Sequence, residues 1–458
     1  GEIMSEVLHK VLIVDDDVAV TNYFMVFLMQ SELFDPVVQN DSRQVIEQLK
    51  QDSFDVVMLD LDMPNVTGME ILQQMAAAGL TVPVIILTGA SDVDLAVRAM
   101  KQGAFDYLTK PVDDVHLLEV LGKAVEMSAL NNSMKNLPNV VMPGDLQHQA
   151  AFEHLPTKHA SMLRLFHRAE TLATGNLCVF IWGERGSGKP LLAEGIHHSS
   201  ARQDGPFVAL DCAQHTPDSF SGVLFGQAQN WSGDVDDLPG SLCQAAGGTL
   251  FLNNIEYLSP QVQMRLNTAL HTGEYYRNNS TEIRHCDVRF IVASTHDLTH
   301  PKFQSSFSRD LLYHVMVNNL EVPPLRDRPE DIPVLAEHFL AEENQRSNRK
   351  IKGIHPELMA KLCQYYFPGN QQELRRLILE GVAACKGDVL RLNDLSDYNR
   401  ERVTLCSFGS EFTPRPLDEF IRRQVEETVR YCQGDREEAS RLLQITEKKL
   451  AEYWKPES

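Results

Sequence analysis

The sequence has little positive charge, no clustered cysteines and no long apolar run. Lys and Arg number 42 against 63 Asp and Glu, a formal net charge of −21, so no chain-wide attraction to nucleic acid or anionic membranes is expected and any DNA contact must be local. The eight cysteines form no C-x-x-C pair, which argues against a disulfide framework or a zinc site and favours a reducing compartment. Without a membrane span or signal-peptide core, we expect a cytoplasmic protein with no membrane partner.

Residues 8–125 alternate short apolar runs with helical patterns, which predicts a parallel sheet covered by helices. The predicted strands are residues 11–14, 56–59, 84–87 and 107–108. Ligands of such sheets bind at the carboxyl ends of the strands, and acidic oxygens there suit a hard cation such as Mg²⁺. The polar residues at these ends are Asp15, Asp16, Asp17, Asp60, Thr88 and Lys110. The alternative is that the aspartates only form turns.

The segments VLIVDDD, VVMLDLDMPNVTG, VIILTG and FDYLTKP resemble, in order and spacing, the receiver domain of two-component response regulators. The resemblance implies a flavodoxin-like fold and a cognate histidine kinase or phosphotransfer protein as partner. Mg²⁺ and a lysine together neutralise charge on a transferring phosphoryl group. The implied roles are phosphoacceptor for Asp60, Mg²⁺ ligands for Asp15, Asp16 and Asp60, phosphoryl contact for Lys110, and the switch pair for Thr88 and Tyr107.

A helical pattern continues out of this region over residues 117–137. Met127, Leu130, Met134 and Leu137 are spaced three, four and three residues apart. This spacing is typical of a short dimerising coiled coil, but it also fits a helix that packs on its own domain. Residues 138–156 are richer in turn formers and indicate a linker.

The apolar run 178–182 is followed by GERGSGKP and then by a helical pattern. A strand, a glycine-rich loop and a helix in this order form a phosphate cradle, in which Lys189 reaches the outer phosphates. The cradle residues are Gly183, Gly186, Ser187, Gly188 and Lys189. Pro190 replaces the usual Ser or Thr and is expected to push Lys189 away from helical dihedrals. ATP or another nucleotide is therefore expected to bind only weakly, and without hydrolysis for the reasons that follow.

Further motifs are SGVLFG, GGTLFLNNI, DVRFIVAST, VPPLRDRPEDIP and FPGNQQEL. With the glycine-rich loop they resemble the AAA+ domain of NtrC-type enhancer-binding proteins, a P-loop α/β domain with a helical lid that uses ATP hydrolysis to remodel sigma-54 RNA polymerase. Five positions depart from what the resemblance implies. Asn253 and Asn254 stand where the family has its metal carboxylate and general base. Ser308 and His314 stand in place of two trans-acting arginines, and Gln372 in place of the lid arginine. Residues 227–237, QAQNWSGDVDD, show no trace of the sigma-54 contact motif.

These departures predict that ATPase activity is lost and that the chain is not an enzyme, because an amide cannot act as a general base and the lost groups act as a unit. The alternative is that they are ordinary substitutions in a working enzyme.

Residues 417–432 form an amphipathic pattern, and two shorter helices are predicted at 436–443 and 447–454. The segment REEASRLLQITEKKLAEYW resembles a Fis-type helix-turn-helix. Its implied DNA contacts are Arg441, Thr446, Lys448, Lys449 and Tyr453. Because residues 413–458 hold nine basic and ten acidic residues, affinity would have to come from several modules on one assembly. The alternative is an all-α bundle that only dimerises.

The predicted architecture is therefore multidomain α/β. Its parts are a receiver domain at 6–125, a linker helix and linker at 126–152, a degenerate AAA+ domain at 153–395, a hinge at 396–416 and a helix-turn-helix DNA-binding domain at 417–458. The hypothesis is a phosphorylation-controlled, homo-oligomeric repressor that binds promoter or operator DNA, independent of sigma-54. Two alternatives are a regulator that senses ATP or a cyclic dinucleotide and acts with ordinary RNA polymerase, and an active sigma-54 ATPase activator.

Overall fold

A computed structural model describes most of the chain. The described residues are 8–89, 93–135, 142–229, 238–298, 307–316 and 318–405 and, in the C-terminal segment, 425, 428–429, 436–443, 445–446, 449–450 and 453.

The N-terminal domain is a five-stranded parallel sheet with helices on both faces. Its strand order is β2-β1-β3-β4-β5. The elements are β1 His9–Val14, α1 Val18–Gln30, β2 Phe34–Gln39, α2 Val45–Gln51, β3 Val56–Asp60, α3 Gly68–Ala77, β4 Val84–Gly89, α4 Val93–Lys101, β5 Asp106–Lys110 and α5 Asp114–Lys135.

The central strands of this sheet are apolar on both faces, as expected of a parallel sheet covered by helices. In β1, Leu12 and Val14 pack into the core on one face, whereas Val11 and Ile13 pack into the core on the other. Neighbouring β3 alternates in the same way and is buried at every position. The two-residue period of a strand therefore supplies both cores of the domain from one continuous apolar run.

Helix α5 connects the N-terminal domain to the rest of the chain. Its first half, including Leu117 and Leu121, belongs to the core of the N-terminal domain. Its second half leaves that domain, and Leu130 is buried in the core of the central domain. The Glu126 carboxylate accepts a hydrogen bond from the backbone N–H of Leu177 at 3.1 Å. This part of the helix therefore packs against the central domain of its own chain. Leu130, one of the four residues of the possible coiled-coil pattern, is buried in that contact.

The central domain is a second five-stranded parallel sheet, of order β14-β6-β13-β10-β7, flanked by helices and small hairpins. The elements are α6 Ala160–Ala173, β6 Val179–Trp182, α7 Lys189–His198, β7 Phe207–Asp211, α8 Pro217–Phe225, β8 Gly226–Gln227, β9 Leu238–Pro239, α9 Ser241–Gln244, β10 Thr249–Asn253, α10 Pro260–Thr272, β11 Glu274–Tyr275, β12 Arg284–His285, β13 Arg289–Ser294, α11 Arg309–Val315 and β14 Asn318–Glu321.

A helical domain follows, with a core of its own. Its elements are α12 Asp331–Ser347, β15 Gly353–Ile354, α13 Pro356–Gln364, α14 Asn370–Ala384, β16 Val389–Leu390 and α15 Asp397–Leu405. Helix α14 packs along α12, and its N-terminus lies against the glycine-rich loop of the central domain, as the hydrogen bond from the Gln372 N–H to the Gly186 carbonyl shows.

Only part of the C-terminal segment is described. It contains helix α16, Arg436–Leu443, and a small core of Val425, Val429, Ala439 and Leu450. Among the helices that the structure describes, none combines the length and the apolar character needed to cross a bilayer.

Candidate phosphoacceptor and nucleotide-binding sites

The first site lies at the carboxyl edge of the N-terminal sheet. Val14 of β1 pairs with Leu59 of β3, so the residues that follow them, Asp15 and Asp60, lie side by side. Lys110, the last residue of β5, reaches between them. Its Nζ lies 2.7 Å from Asp15 Oδ2 and 2.6 Å from Asp60 Oδ1. Asp15 and Asp60 are only 2% and 7% exposed, so the lysine is the cation that offsets their burial.

The buried carboxylates are held by backbone donors as well. The N–H of Asp17 donates to Asp15 Oδ1, and the N–H of Asp62 donates to Asp60 Oδ2, each at 2.9 Å. Burial raises the pKa of Asp60, and the Lys110 ammonium offsets only part of that effect. Burial opposes the charge on Lys110 too, but its hydrogen bonds to Asp15 and Asp60 outweigh this and raise its pKa. Asp60 is therefore a desolvated carboxylate beside a firmly protonated lysine.

The same edge offers ligands for a divalent cation. Carboxylate oxygens of Asp15, Asp16 and Asp60 lie within 4.8 Å of one another, and oxygen ligands of this kind suit Mg²⁺. Asp17 is different, because its carboxylate accepts the N–H of Ala19 at 2.8 Å and caps α1. Of the four predicted strand-end aspartates, three thus form the acidic cluster and Asp17 serves the turn, as the alternative interpretation proposed.

Two further predicted residues flank this cluster. Thr88 is buried in β4, and its hydroxyl donates to the Gly89 carbonyl at 3.4 Å. Tyr107 in β5 is half-buried, and burial raises its pKa, with a contribution from Asp310 of helix α11. The Tyr107 ring therefore lies at the junction of the N-terminal and central domains.

The loop after Asp60 allows a close approach that only glycine permits. A Cβ at Gly68, the first residue of α3, would collide with the backbone of Asp60 and Leu61. Thr67, just before Gly68, and Glu70, two residues after it, form a reciprocal capping box, which fixes the start of the helix. The glycine in the segment DMPNVTG therefore sets the position of α3 against Asp60.

The second site is the glycine-rich loop between β6 and α7. Gly183, Gly186 and Gly188 have φ values of 153°, 76° and 106°, a region that favours glycine. Helix α7 begins at Lys189, with Gly188 as its N-cap and Pro190 in the first turn. The prediction that Pro190 displaces Lys189 from helical dihedrals is wrong, because the first turn of a helix tolerates proline.

Lys189 is folded into this loop. Its side chain is buried, and Nζ donates to the carbonyls of Gly183 at 2.7 Å and Glu184 at 3.0 Å. Burial lowers the Lys189 pKa to about 8, although Glu256 and Glu184 act in the opposite direction. The Ser187 hydroxyl is buried without a hydrogen-bond partner. The loop therefore holds one desolvated ammonium and one unused donor, which are groups that a phosphate would satisfy.

The helical domain contacts this loop directly. Arg326 makes a two-pronged ion pair with Glu184, at 2.7 and 2.6 Å, and the Asn370 amide donates to the Arg185 carbonyl at 3.0 Å. The backbone N–H of Gln372 donates to the Gly186 carbonyl at 3.2 Å. The structure thus places the backbone of Gln372 at the glycine-rich loop.

The end of β10 holds two amides and one carboxylate. The Asn253 side-chain oxygen is buried without a partner. Asn254 has a left-handed backbone, with φ 58°, and its amide donates to Asp211 at 2.7 Å. Two residues on, the side chain of Glu256 is 5% exposed; one oxygen accepts the Thr295 N–H at 3.1 Å and the other has no partner. The sequence analysis did not identify Glu256, whose negative charge opposes the lowering of the Lys189 pKa by burial.

Ser308 and His314 lie on or beside helix α11. Ser308 is its N-cap, and its hydroxyl accepts the N–H of Leu311. His314 lies in the last turn, where its Nδ1 contacts the Asp310 carbonyl at 2.9 Å. Its ring lies 5.1 Å from that of His271, at the junction with the N-terminal domain.

The C-terminal candidates are only partly described, and Lys448 lies outside the described residues. Arg441 is exposed on α16. The Thr446 hydroxyl accepts the N–H of Lys449 at 3.3 Å, and its carbonyl accepts the N–H of Leu450. Tyr453 packs against the small core. Thr446 therefore begins a turn, while the Tyr453 ring supports the fold of the segment.

Comparison with known families assigns most of the chain between residues 11 and 405. The profile of the response regulator receiver domain matches residues 11–122. That of the sigma-54 interaction domain matches residues 155–321, and that of the AAA+ ATPase lid domain matches residues 326–405.

Relatives match over almost the full length. The transcriptional regulatory protein ZraR of Escherichia coli K12 is 33% identical over 441 residues, which are 96% of this chain and 97% of ZraR. The regulatory protein AtoC of the same strain is 30% identical over 460 residues, covering 97% and 98%. The crystal structure of Brucella abortus NtrX in complex with ADP aligns with a TM-score of 0.52 over 97% of this chain and 98% of NtrX. Its 24% identity supports the fold alone.

These matches contradict one prediction. The departures at Asn253, Asn254, Ser308, His314 and Gln372 led to the prediction that ATPase activity is lost and that the chain is not an enzyme. That prediction is wrong, because the central unit matches the sigma-54 interaction domain and the AAA+ ATPase lid domain, and the relatives match over almost their full length. Individual substitutions do not separate the domain from that family. The receiver, the sigma-54 interaction domain and the AAA+ lid, in this order, place the chain in the family of NtrC-type sigma-54 enhancer-binding response regulators.

Proposed function

We propose that the chain is a phosphorylation-controlled transcriptional regulator in which Asp60 accepts a phosphoryl group from a histidine kinase or phosphotransfer protein. The observation that carries this proposal is the Lys110 ammonium, which lies 2.7 Å from Asp15 and 2.6 Å from Asp60. Asp15, Asp16 and Asp60 would hold Mg²⁺, which neutralises charge on the transferred group. Lys110 would leave its bond to Asp60 and contact the phosphoryl oxygens, with Thr88 and Tyr107 as the switch pair.

The glycine-rich loop would bind ATP or another nucleotide. Gly183, Gly186, Ser187 and Gly188 supply the cradle, and Lys189 would exchange its two carbonyl partners for phosphate oxygens. Glu256, which with Glu184 opposes the lowering of the Lys189 pKa by burial, has one carboxylate oxygen without a partner and would be available to a metal ion bound with the nucleotide. Gln372 at the N-terminus of α14 would sense whether the loop is filled, because its backbone bonds to Gly186.

A test of this second part uses nucleotide affinity. Lys189→Ala should weaken binding of a fluorescent ATP analogue about tenfold or more, the effect of one lost charge-assisted hydrogen bond. Lys386→Ala, at an exposed position of the helical domain, is the matched control. Binding by the wild type should also weaken as the pH rises above about 8, because the free Lys189 ammonium titrates there. Equal affinity for both variants would refute the proposed cradle, and phosphate release from the same samples measures turnover directly.

The C-terminal segment would bind promoter or operator DNA through Arg441, Thr446, Lys448 and Lys449, with Tyr453 supporting the module. In this proposal the domains divide at 6–125, 126–152, 153–395, 396–416 and 417–458. A homo-oligomer would present several such modules, which compensates for their nearly balanced charge.

Membership of the family favours activation of sigma-54 promoters. A second candidate function is repression without sigma-54, and one observation favours it. Residues 227–237, after Gly226, carry QAQNWSGDVDD in place of the sigma-54 contact motif; most of them lie outside the described residues. A repressor of this kind would act by occupying the promoter.

One experiment tests the phosphorylation proposal and distinguishes activation of the promoter from repression. Binding to the chain's own promoter region is measured before and after treatment with a phosphoryl donor, for the wild type, Asp60→Asn and the control Asp52→Asn, an exposed position. The donor should change affinity in the wild type and the control only. Transcription of that promoter with sigma-54 or ordinary RNA polymerase then shows activation or repression. An equal donor effect in Asp60→Asn would exclude Asp60 as the acceptor.

A further inference from the structure

A cluster of potential metal ligands lies where the N-terminal domain meets the central domain. Asp106 is the first residue of β5, His271 lies near the end of α10, and His314 lies in α11. One ligand atom of each lies within 4.8 Å of the other two. We call these three residues the interdomain cluster. It borders a cavity of about 380 Å³ whose walls come from both domains.

His314 has the hydrogen bonding typical of a metal-binding histidine. Its Nδ1 lies 2.9 Å from the Asp310 carbonyl, and since a carbonyl only accepts, Nδ1 must donate. The proton is thereby fixed on Nδ1, so Nε2 carries a lone pair. That Nε2 is buried and has no hydrogen-bond partner. A ring whose second nitrogen donates to a backbone carbonyl is the common arrangement of metal-bound histidines.

Asp106 and His271 complete the donor set. Asp106 is 4% exposed; its Oδ1 accepts the Tyr107 N–H at 2.8 Å, and its Oδ2 lies 3.8 Å from His271 Nδ1. Burial lowers the pKa of His271, with Asp106 opposing and His314, His116 and Lys123 reinforcing the shift.

We propose that the interdomain cluster is a site for Zn²⁺ or a similar divalent transition metal, bound by Asp106, His271 and His314. Two imidazoles and one carboxylate suit this class of metal and not Mg²⁺ or Ca²⁺, which prefer oxygen. Tetrahedral zinc needs ligand atoms about 3.4 Å apart, so small side-chain rotations suffice. His116, whose ring lies 5.1 Å from that of His271, is one candidate for the fourth position, and water is the other.

The site would connect two domains. Asp106 belongs to the strand that carries Tyr107 and Lys110, whereas His271 and His314 belong to helices of the central domain. The Lys123 ammonium of α5 already donates to the His271 carbonyl at 2.9 Å across the same boundary. A metal bound here would therefore hold the N-terminal domain against α10 and α11.

The test is metal binding by the full-length chain. Metal-free protein is titrated with Zn²⁺ and, separately, Co²⁺, in excess Mg²⁺ so that the acidic cluster at Asp60 is occupied. The wild type should bind one tight Zn²⁺ and give the intense visible absorption of four-coordinate Co²⁺. His271→Ala and His314→Ala should each weaken that site by more than the roughly 10- to 100-fold that loss of an outer-shell partner costs. His285→Ala, an exposed histidine of β12, should bind like the wild type.

Asp106→Asn is the second variant, because it keeps both imidazoles and the shape of the junction. Circular dichroism and metal-free melting temperatures establish that each variant is folded. If the folded cluster variants bind Zn²⁺ as tightly as the wild type, or if wild-type Co²⁺ shows only the weak absorption of an octahedral ion, the proposed site is wrong. Loss of zinc binding in the His285→Ala control as well would show that the bound metal is elsewhere.

Discussion

The contact between the helical domain and the nucleotide-binding loop depends on Asp331, and its removal has a predictable cost. The Asp331 carboxylate is fully buried at the start of α12. It accepts hydrogen bonds from the Thr157 hydroxyl at 2.7 Å and from the backbone N–H of Lys158 at 2.7 Å. It also lies 3.5 Å from Arg328, whose guanidinium is 1% exposed and donates to the Ser187 carbonyl at 3.2 Å.

Asp331→Ala leaves the Arg328 charge buried without its carboxylate. Breaking a buried ion pair from one side costs about 3–5 kcal/mol. In a domain of 150–250 residues each kcal/mol lowers the melting temperature by about 2–4 °C, so a decrease of about 6–20 °C is expected for the central domain. Fluorescence of Trp182 in β6, in a background with Trp231 and Trp454 changed to Phe, reports on this domain.

The matched control removes an exposed ion pair. Lys352 and Asp388 are 2.8 Å apart, with side chains 77% and 64% exposed, and Asp388→Ala should leave the melting temperature unchanged because exposed pairs contribute little. The double variant Arg328→Met with Asp331→Leu should be less destabilised than the sum of the single variants, since neither charge remains buried alone. If the decreases in melting temperature are additive, or if Asp331→Ala lowers it no more than Asp388→Ala does, Asp331 does not stabilise the contact between the two domains.

Three further predictions concern the N-terminal domain and its connection. Burial raises the Asp60 pKa, so the folded state holds the Asp60 proton more tightly than the unfolded state does, and stability decreases as the pH rises through the carboxyl range. In the absence of Mg²⁺, Asp60→Asn should therefore have a higher melting temperature than the wild type at neutral pH. This difference should vanish at acidic pH. Gly68→Ala should cost about 1–3 kcal/mol in denaturant titrations, because its Cβ collides with the Asp60 backbone; Gly122→Ala, in open space on α5, should instead be neutral or stabilising by up to about 1 kcal/mol. Leu130→Ala should cost about 2–5 kcal/mol, detected by the Trp182 transition, because this side chain is buried in the central domain; an unchanged transition would contradict that packing.

The first site could be located from the sequence because its residues lie at the carboxyl ends of strands. Strands predicted at 11–14, 56–59, 84–87 and 107–108 correspond to β1, β3, β4 and β5. Parallel pairing then brings Asp15, Asp60 and Lys110 to one edge. Strand β2, Phe34–Gln39, was not predicted from the sequence. Its residues are mostly half-buried and include Pro36. An edge strand with proline has a weak apolar pattern, so periodicity did not reveal it.

Residues from distant segments were harder to combine. His197, for example, lies in the interior, where its ring contacts the Thr249 hydroxyl at 2.9 Å. Asp106, His271 and His314, however, come from three elements in two domains, and no spacing in the sequence connects them. Glu256 could not be found from the family motif, because the motif covers only positions 253 and 254, and this carboxylate lies two residues further on, beyond the left-handed Asn254.

The junction of the two domains brings the proposed phosphorylation site and the central domain into one contact. Tyr107, next to Asp106, lies close enough to Asp310 for that carboxylate to contribute to raising its pKa, after burial. His314 is one turn further along α11 from Asp310, and its ring contacts that of His271. If Tyr107 moves when Asp60 is phosphorylated, as the proposed switch role requires, we expect the ligands of the proposed metal site to shift with it. Because coupling between binding equilibria is reciprocal, the factor by which phosphorylation changes Zn²⁺ affinity must equal the factor by which Zn²⁺ changes the phosphorylation equilibrium, and measuring both closes the thermodynamic cycle.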